Sequence, residues 1–217
     1  MKKRYIISLG ILGGVILFLL IFLICFFNIP RITYGYDSET ETYYVDHVYG
    51  NAKTYTIANE VNHRPVTKIK SRAFMDKTEL EEVGFGSSLI VIERLAFLNC
   101  KKLKTIDLSG VEIIGRNAFE NCLSLESVHL TVEDIMGGTF MGCSKLQNIV
   151  LENTLSIGSY AFAETSVIEL TIPRTCASIG NDAFYECLEL NKIVVLSYEL
   201  RNNAYLKSLG IVDFQIK

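Results

Sequence analysis

The 217-residue chain has no Trp, only three Pro and only three His. It has no C-x-x-C pair, and none of His47, His63 or His129 stands near the repeated cysteines, so no zinc ligand set is expected. No G-x-S-x-G and no H-E-x-x-H occurs, and no His lies at a recognisable spacing from a nucleophile. The expectation is a protein that is not an enzyme and carries no cofactor. Gly84-Phe85-Gly86 is a faint echo of a phosphate loop, but a repeat described below makes it a strand end followed by a turn. Residues 1–27 hold no acid, and their charges are Lys2, Lys3 and Arg4. Residues 28–217 therefore carry 18 basic and 24 acidic side chains, a net of −6. A body so short of positive charge is a poor platform for phosphates, so no nucleic-acid partner is expected. Hydrophobic residues make up 49% against 21% charged, which excludes a disordered chain.

Tyr5 to Phe27 is a run of 23 residues without a charge. As a helix it reaches about 35 Å, enough for a hydrocarbon core of about 30 Å. The positive charges precede it, so residues 1–4 are expected as a cytoplasmic tail, 5–27 as a transmembrane signal anchor, and the rest outside the cell membrane. The first 50 residues contain no Ala to build a cleavage site, and Ile24 before Cys25 does not suit lipidation.

The body is a repeat. Ala-Phe recurs at Ala73-Phe74, Ala96-Phe97, Ala118-Phe119, Ala161-Phe162 and Ala183-Phe184, with Thr139-Phe140 in the one missing place. The Phe spacings are 23, 22, 21, 22 and 22. An Ile stands five residues before each: Ile69, Ile92, Ile114, Ile135, Ile157 and Ile179. After each comes an L-x-x-I-x-L segment, from Leu80/Val83/Phe85 to Leu190/Ile193/Val195, with Val167/Leu170/Ile172 arriving one residue early. The last two apolar positions alternate, so they face one side of a short strand and their neighbours the other. The Ile opens a second extended piece, often followed by Gly (Gly115, Gly158, Gly180), which suits a tight turn. The A-F-x-x-C stretch reads as a helical or 3₁₀ turn with its Phe inward. One such unit cannot bury its apolar face, whereas stacked copies can.

Ile114-Gly-Arg-Asn-Ala-Phe-Glu-Asn-Cys122 followed by Leu125-x-x-Val128-x-Leu130 resembles the BspA-like, or Treponema pallidum-type, leucine-rich repeat family. The resemblance covers residues 67–196. It implies a leucine-rich-repeat solenoid of short strands in a parallel ladder, and an exported surface protein that binds other proteins or host matrix. The chain departs from the family pattern in two ways: the Pro after most strands is missing, only Pro173 occupying that place, and Thr139 fills the Ala slot.

Residues 28–42 read as a linker and 43–66 as a β-hairpin cap, Tyr43–Tyr49 and Thr54–Ile57 around Gly50-Asn51. Residues 67–196 form six leucine-rich repeats, and 197–217 a closing cap, helical over Tyr198–Leu209. Six of eleven Tyr lie between Tyr34 and Tyr55, either packed over the first repeat or displayed as an aromatic patch. Cys100, Cys122, Cys143 and Cys187 share one slot, three residues after Phe. They read as stacked core thiols, with bridges between neighbouring rungs the alternative; Cys176 fills an apolar slot.

The candidate binding face consists of the outward strand residues of the middle repeats: Thr105, Asp107, Ser127, His129, Asn148, Val150, Glu169 and Thr171. Such a mixed, shallow display suits a protein or glycan partner at the cell surface. The expected function is therefore recognition or adhesion by a membrane-anchored module, and the alternative is a structural spacer or scaffold of the cell envelope.

Overall fold

The structure, a computed structural model, describes residues 29–216. The apolar run at 5–27, with Cys25, lies outside them. The chain enters through β1 (Arg31–Asp37) and β2 (Thr42–Tyr49), an antiparallel pair. Then come β3 (Thr54–Thr56), β4 (Glu60–Val61) and β5 (Arg64–Ile69). The repeats continue with β6 (Glu82–Gly84), β7 (Val91–Ile92), β8 (Ile113–Ile114), β9 (Ser127–Leu130) and β10 (Asp134–Ile135). They end with β11 (Asn148–Leu151), β12 (Ser156–Ile157), β13 (Glu169–Ile172), β14 (Ser178–Ile179) and β15 (Lys192–Val195). A 3₁₀ turn at Glu199–Asn202, a short helix α1 (Ala204–Ser208) and β16 (Val212–Phe214) close the chain. The result is a solenoid of about 8 turns.

Two parallel ladders run along it. The ladder through the Ile slot follows β2, β5, β7 and β8, then resumes in β10, β12 and β14. The ladder through the L-x-x-I-x-L slot follows β3 and β6, a bridge from Glu82 to Thr105, β9 with β11, and β13 with β15 and β16. The third side, expected as helical or 3₁₀ turns, is built of non-helical turns. The N–H of each Phe but the last reaches the next repeat's carbonyl: Phe74 to Ala96 (2.8 Å), Phe97 to Ala118 (2.7 Å), Phe119 to Thr139 (2.9 Å), Phe140 to Ala161 (2.8 Å) and Phe162 to Ala183 (2.9 Å). Residues two before and two after each Phe are left-handed in all six repeats, from Arg72 and Asp76 (φ 63° and 61°) to Asp182 and Glu186 (φ 58° and 52°). Those left-handed residues break any helix.

Between the three sides the Phe side chains stack. Ring centroids lie 4.8 Å apart for Phe74–Phe97, 5.1 Å for Phe97–Phe119, 5.4 Å for Phe119–Phe140, 5.6 Å for Phe140–Phe162 and 6.1 Å for Phe162–Phe184. Tyr55 closes the column edge-on at one end, and Tyr205 stacks on Phe184 at the other. The Ala slot is fully enclosed, and Thr139 is accepted there because its hydroxyl donates to the Met136 carbonyl at 2.7 Å.

Each thiol of the cysteine slot donates to the Phe carbonyl of the preceding turn: Cys100 to Phe74 (3.1 Å), Cys122 to Phe97 (3.3 Å), Cys143 to Phe119 (3.1 Å) and Cys187 to Phe162 (3.0 Å). These thiols and Cys176 are unpaired. The two repeats without Cys keep a donor. Lys77 reaches the Gly50 carbonyl at 2.8 Å, and Thr165 reaches Phe162 at 2.8 Å. Burial pushes the Cys100 thiol up to about 12 and that of Cys176 up to about 11.

Several expectations are corrected. Residues 28–42 are not a linker: Arg31–Asp37 is a strand whose Ile32 and Tyr34 cover the core, with the Tyr34 hydroxyl accepting the Ala58 N–H at 2.9 Å. Residues 43–57 are not a hairpin either. β2 pairs with β1 and β5, and β3 pairs with β6, so this stretch forms an extra turn of the solenoid. The Gly after Ile serves close approach rather than a turn: a Cβ on Gly115 would meet the Arg94 backbone, and one on Gly158 the Gly137 backbone. At the far end Asn203 caps α1 by accepting the Leu206 N–H at 2.9 Å, and β16 continues the ladder.

Candidate binding face

All eight residues proposed from the sequence are exposed on the outer side of the L-x-x-I-x-L ladder. They do not form one unbroken row. β9 and β11 set Ser127 beside Asn148 and His129 beside Val150. Thr105 and Asp107 belong to the preceding turn, where Thr105 only bridges to Glu82. Glu169 and Thr171 lie on β13, which opens a separate sheet and pairs with Lys192 and Val194 of β15. Repeat five reaches its strand one residue early, and the ladder parts at that junction. The gap leaves Val150 51% and Ile168 44% exposed, an apolar pair amid polar neighbours.

Charged groups stand beside this apolar pair. His129 Nε2 lies 2.7 Å from Glu152 Oε1 on the adjacent turn. On the other side, the Ser109 N–H, donating to Asp107 at 3.0 Å, together with the Ser109 hydroxyl and the nearby His129, holds the Asp107 carboxyl below the usual carboxylate range. His129 thus stands between carboxylates of two neighbouring turns. Glu152 escaped sequence reasoning because it follows the last strand slot. Its signal is a separation of one repeat, 23 residues, which also joins Lys102 to Glu79 and Lys104 to Glu81.

Beside this face, the first ladder breaks between β8 and β10. Only four residues lie between Leu130 and Ile135, the shortest such connection in the repeats. A cleft of about 690 Å³ opens there, lined by Val111, Glu112, Ile113, Glu133, Asp134 and Met136 among others. Among the described residues no group of three His, Cys, Asp or Glu is placed to hold a metal, and no helix is long and apolar enough to cross a membrane.

The comparisons with known proteins agree with this architecture. The family described as BspA type leucine rich repeat region matches residues 67–197 in six copies. A leucine rich cell surface protein of Faecalibacterium prausnitzii is similar at 26% identity and a TM-score of 0.66, over 77% of this chain and 53% of that one. The chain therefore spans about half the length of that relative. The T. pallidum leucine rich repeat protein shares the fold at 17% identity and a TM-score of 0.56, over 86% of this chain and 95% of that one. The pneumococcal vaccine antigen PcpA does so at 20% and 0.58, over 78% and 48%. No curated protein matches the chain.

Proposed function

Because the chain belongs to the BspA-type leucine-rich repeat family, we propose that it is a surface-displayed binding module that recognises a protein or surface glycan through the outer face of its L-x-x-I-x-L ladder. Residues 5–27 hold it in the membrane, with the amino terminus cytoplasmic and the repeats outside. One observation carries the reading: exposed Val150 and Ile168 sit at the centre of a face whose neighbours are the ionisable Asp107, His129, Glu152 and Glu169. An apolar centre with a polar surround is the anatomy of a protein contact. Shallow relief favours a macromolecule over a small molecule. The F. prausnitzii relative, described as a cell surface protein, supports the location. No catalytic family is indicated.

The test is photo-crosslinking on intact cells, with benzoylphenylalanine in place of Val150 or, on the opposite ladder, of Ser178. An adduct from position 150 and none from 178 supports the reading. Changing Asp107, His129, Asn148 and Glu169 together to Ala should then weaken binding of the captured partner at least about tenfold, or about 1.4 kcal/mol. Absence of adducts from both positions would point to the spacer role instead.

A further inference from the structure

β1 starts four residues after the apolar run ends, with Asn28, Ile29 and Pro30 between Phe27 and Arg31. Four extended steps reach at most about 14 Å. β1 is also the outermost strand of its ladder, pairing with β2 on one side and with no other strand among the described residues. Arg31, at the near end of β1, thus belongs to the end face of the solenoid within that reach of the run.

That end face has a distinctive chemistry. Six of the eleven tyrosines lie in its first strands; Tyr55 is buried against the Phe column and Tyr34 and Tyr43 pack on the core, while Tyr36, Tyr44 and Tyr49 are at least partly exposed. Cations lie over three of the rings: Arg31 over Tyr49 at 4.1 Å, Arg64 over Tyr36 at 5.5 Å and Lys70 over Tyr44 at 5.2 Å. Ile29 is 55% and Tyr36 44% exposed. Rings with a polar tip and long cationic side chains are the groups that settle at the headgroup level of a bilayer. Arg201 over Tyr198 repeats one such pair at the far end, so the pairs alone decide nothing; their density beside the end of the apolar run does. Arg64 is matched by Glu41 at 2.8 Å and Lys70 by Asp46 at 2.9 Å, so the surface is near-neutral and suits a zwitterionic headgroup layer.

We infer that the tyrosine-rich end of the solenoid rests on the phospholipid headgroups, so that the rod stands away from the membrane and its ladder face projects sideways. The inference rests on the anchor reading of residues 5–27 and adds the surface that contacts lipid.

The absence of Trp supplies the test. Two single-tryptophan full-length chains, Tyr36→Trp and Tyr198→Trp, are reconstituted into phosphatidylcholine vesicles with and without acyl-chain bromine. Tyr36→Trp should lose more than half its emission to bromine and Tyr198→Trp should lose none, since the intervening rungs at about 4.8 Å each exceed the quenching range. Ile29→Trp replaces Tyr36→Trp if that variant fails to fold. Quenching of both positions would mean the rod lies flat and would overturn the inference. Protein that floats with the vesicles while neither Trp is quenched overturns it too but leaves the anchor standing. Protein that does not float removes the anchor and the inference together. An unquenched Trp with a cross-linked dimer through Arg31–Asp37 would assign the strand edge to a second copy.

Discussion

Phe119 and His129 lie ten residues apart and do opposite work. Phe119 is fully buried, with Phe97 and Phe140 stacked on its two faces. Phe119→Ala removes both stacks and opens a cavity that two rigid neighbours cannot fill, so a loss of about 3–5 kcal/mol is expected. His129 is exposed and supplies no core area; its pair with Glu152 is half in water, so His129→Ala should change stability by about 0.5 kcal/mol or less. Denaturant melts of the two variants decide the matter, and comparable losses would mean the inside and outside of the strands are assigned wrongly. The cysteines follow the same division. Burial raises the Cys100 and Cys176 thiols, and a thiol reagent needs thiolate. Peptide mapping after native alkylation at pH 8 should therefore find both unmodified and should find modification only after denaturation. Rapid native labelling of Cys100 would mean that the slot opens.

At the scale of the element, the turn between the ladders is the demanding part. It holds twelve left-handed residues, of which only Gly138 and Gly142 are glycine. At Gly142 (φ 74°) a Cβ would also meet the Asn121 amide oxygen. Gly142→Val should therefore cost about 1–3 kcal/mol. Gly110, outside the left-handed region and with ordinary space around its Cβ position, should accept Val within about 0.5 kcal/mol. Urea midpoints of the two variants measure the difference, and equal midpoints would remove the backbone constraint. This element also marks the limit of sequence reading. Ile, Phe and the strand slots were legible because burial repeats every 21 to 23 residues. The left-handed row was invisible because ten of its positions carry ordinary side chains and the tertiary stack imposes the conformation. β1 hid behind the acidic Asp37–Glu41 turn, although Ile32, Tyr34 and Tyr36 alternate as a strand should. The binding-face residues were legible as outward positions. The breaks that divide them were not, because those arise from differences of one residue in connection length.

At the scale of the molecule, the ion pairs are unevenly shared. Among the described residues, pairs between turns gather before Thr105: Arg64–Glu41, Lys70–Asp46, Lys53–Glu81, Lys102–Glu79 and Lys104–Glu81, with His129–Glu152 standing beyond. Glu81 lies between Lys104 and Lys53, which hold its carboxyl down at about 2 from an ordinary 4.5. The N–H groups of Glu39 and Thr40, with Lys68 nearby, lower that of Asp37. A carboxyl whose folded-state value is depressed stabilises the fold above its unfolded value, and that contribution fades as pH falls towards the folded one. The window for Glu81 is therefore about pH 4.5 down to 2. Each exposed pair is worth little alone, but a solenoid is held by contacts between neighbouring turns, so a local loss stays local. Acid should loosen the amino-terminal turns first. Hydrogen exchange at pH 7 and pH 3, corrected for intrinsic rates, should show protection falling over residues 42–104 and holding over 125–195. Glu81→Gln should reproduce part of that loss at pH 7 and flatten the pH dependence there. Protection that falls evenly along the rod would show that the turns unfold as one unit and that the uneven charges have no mechanical consequence.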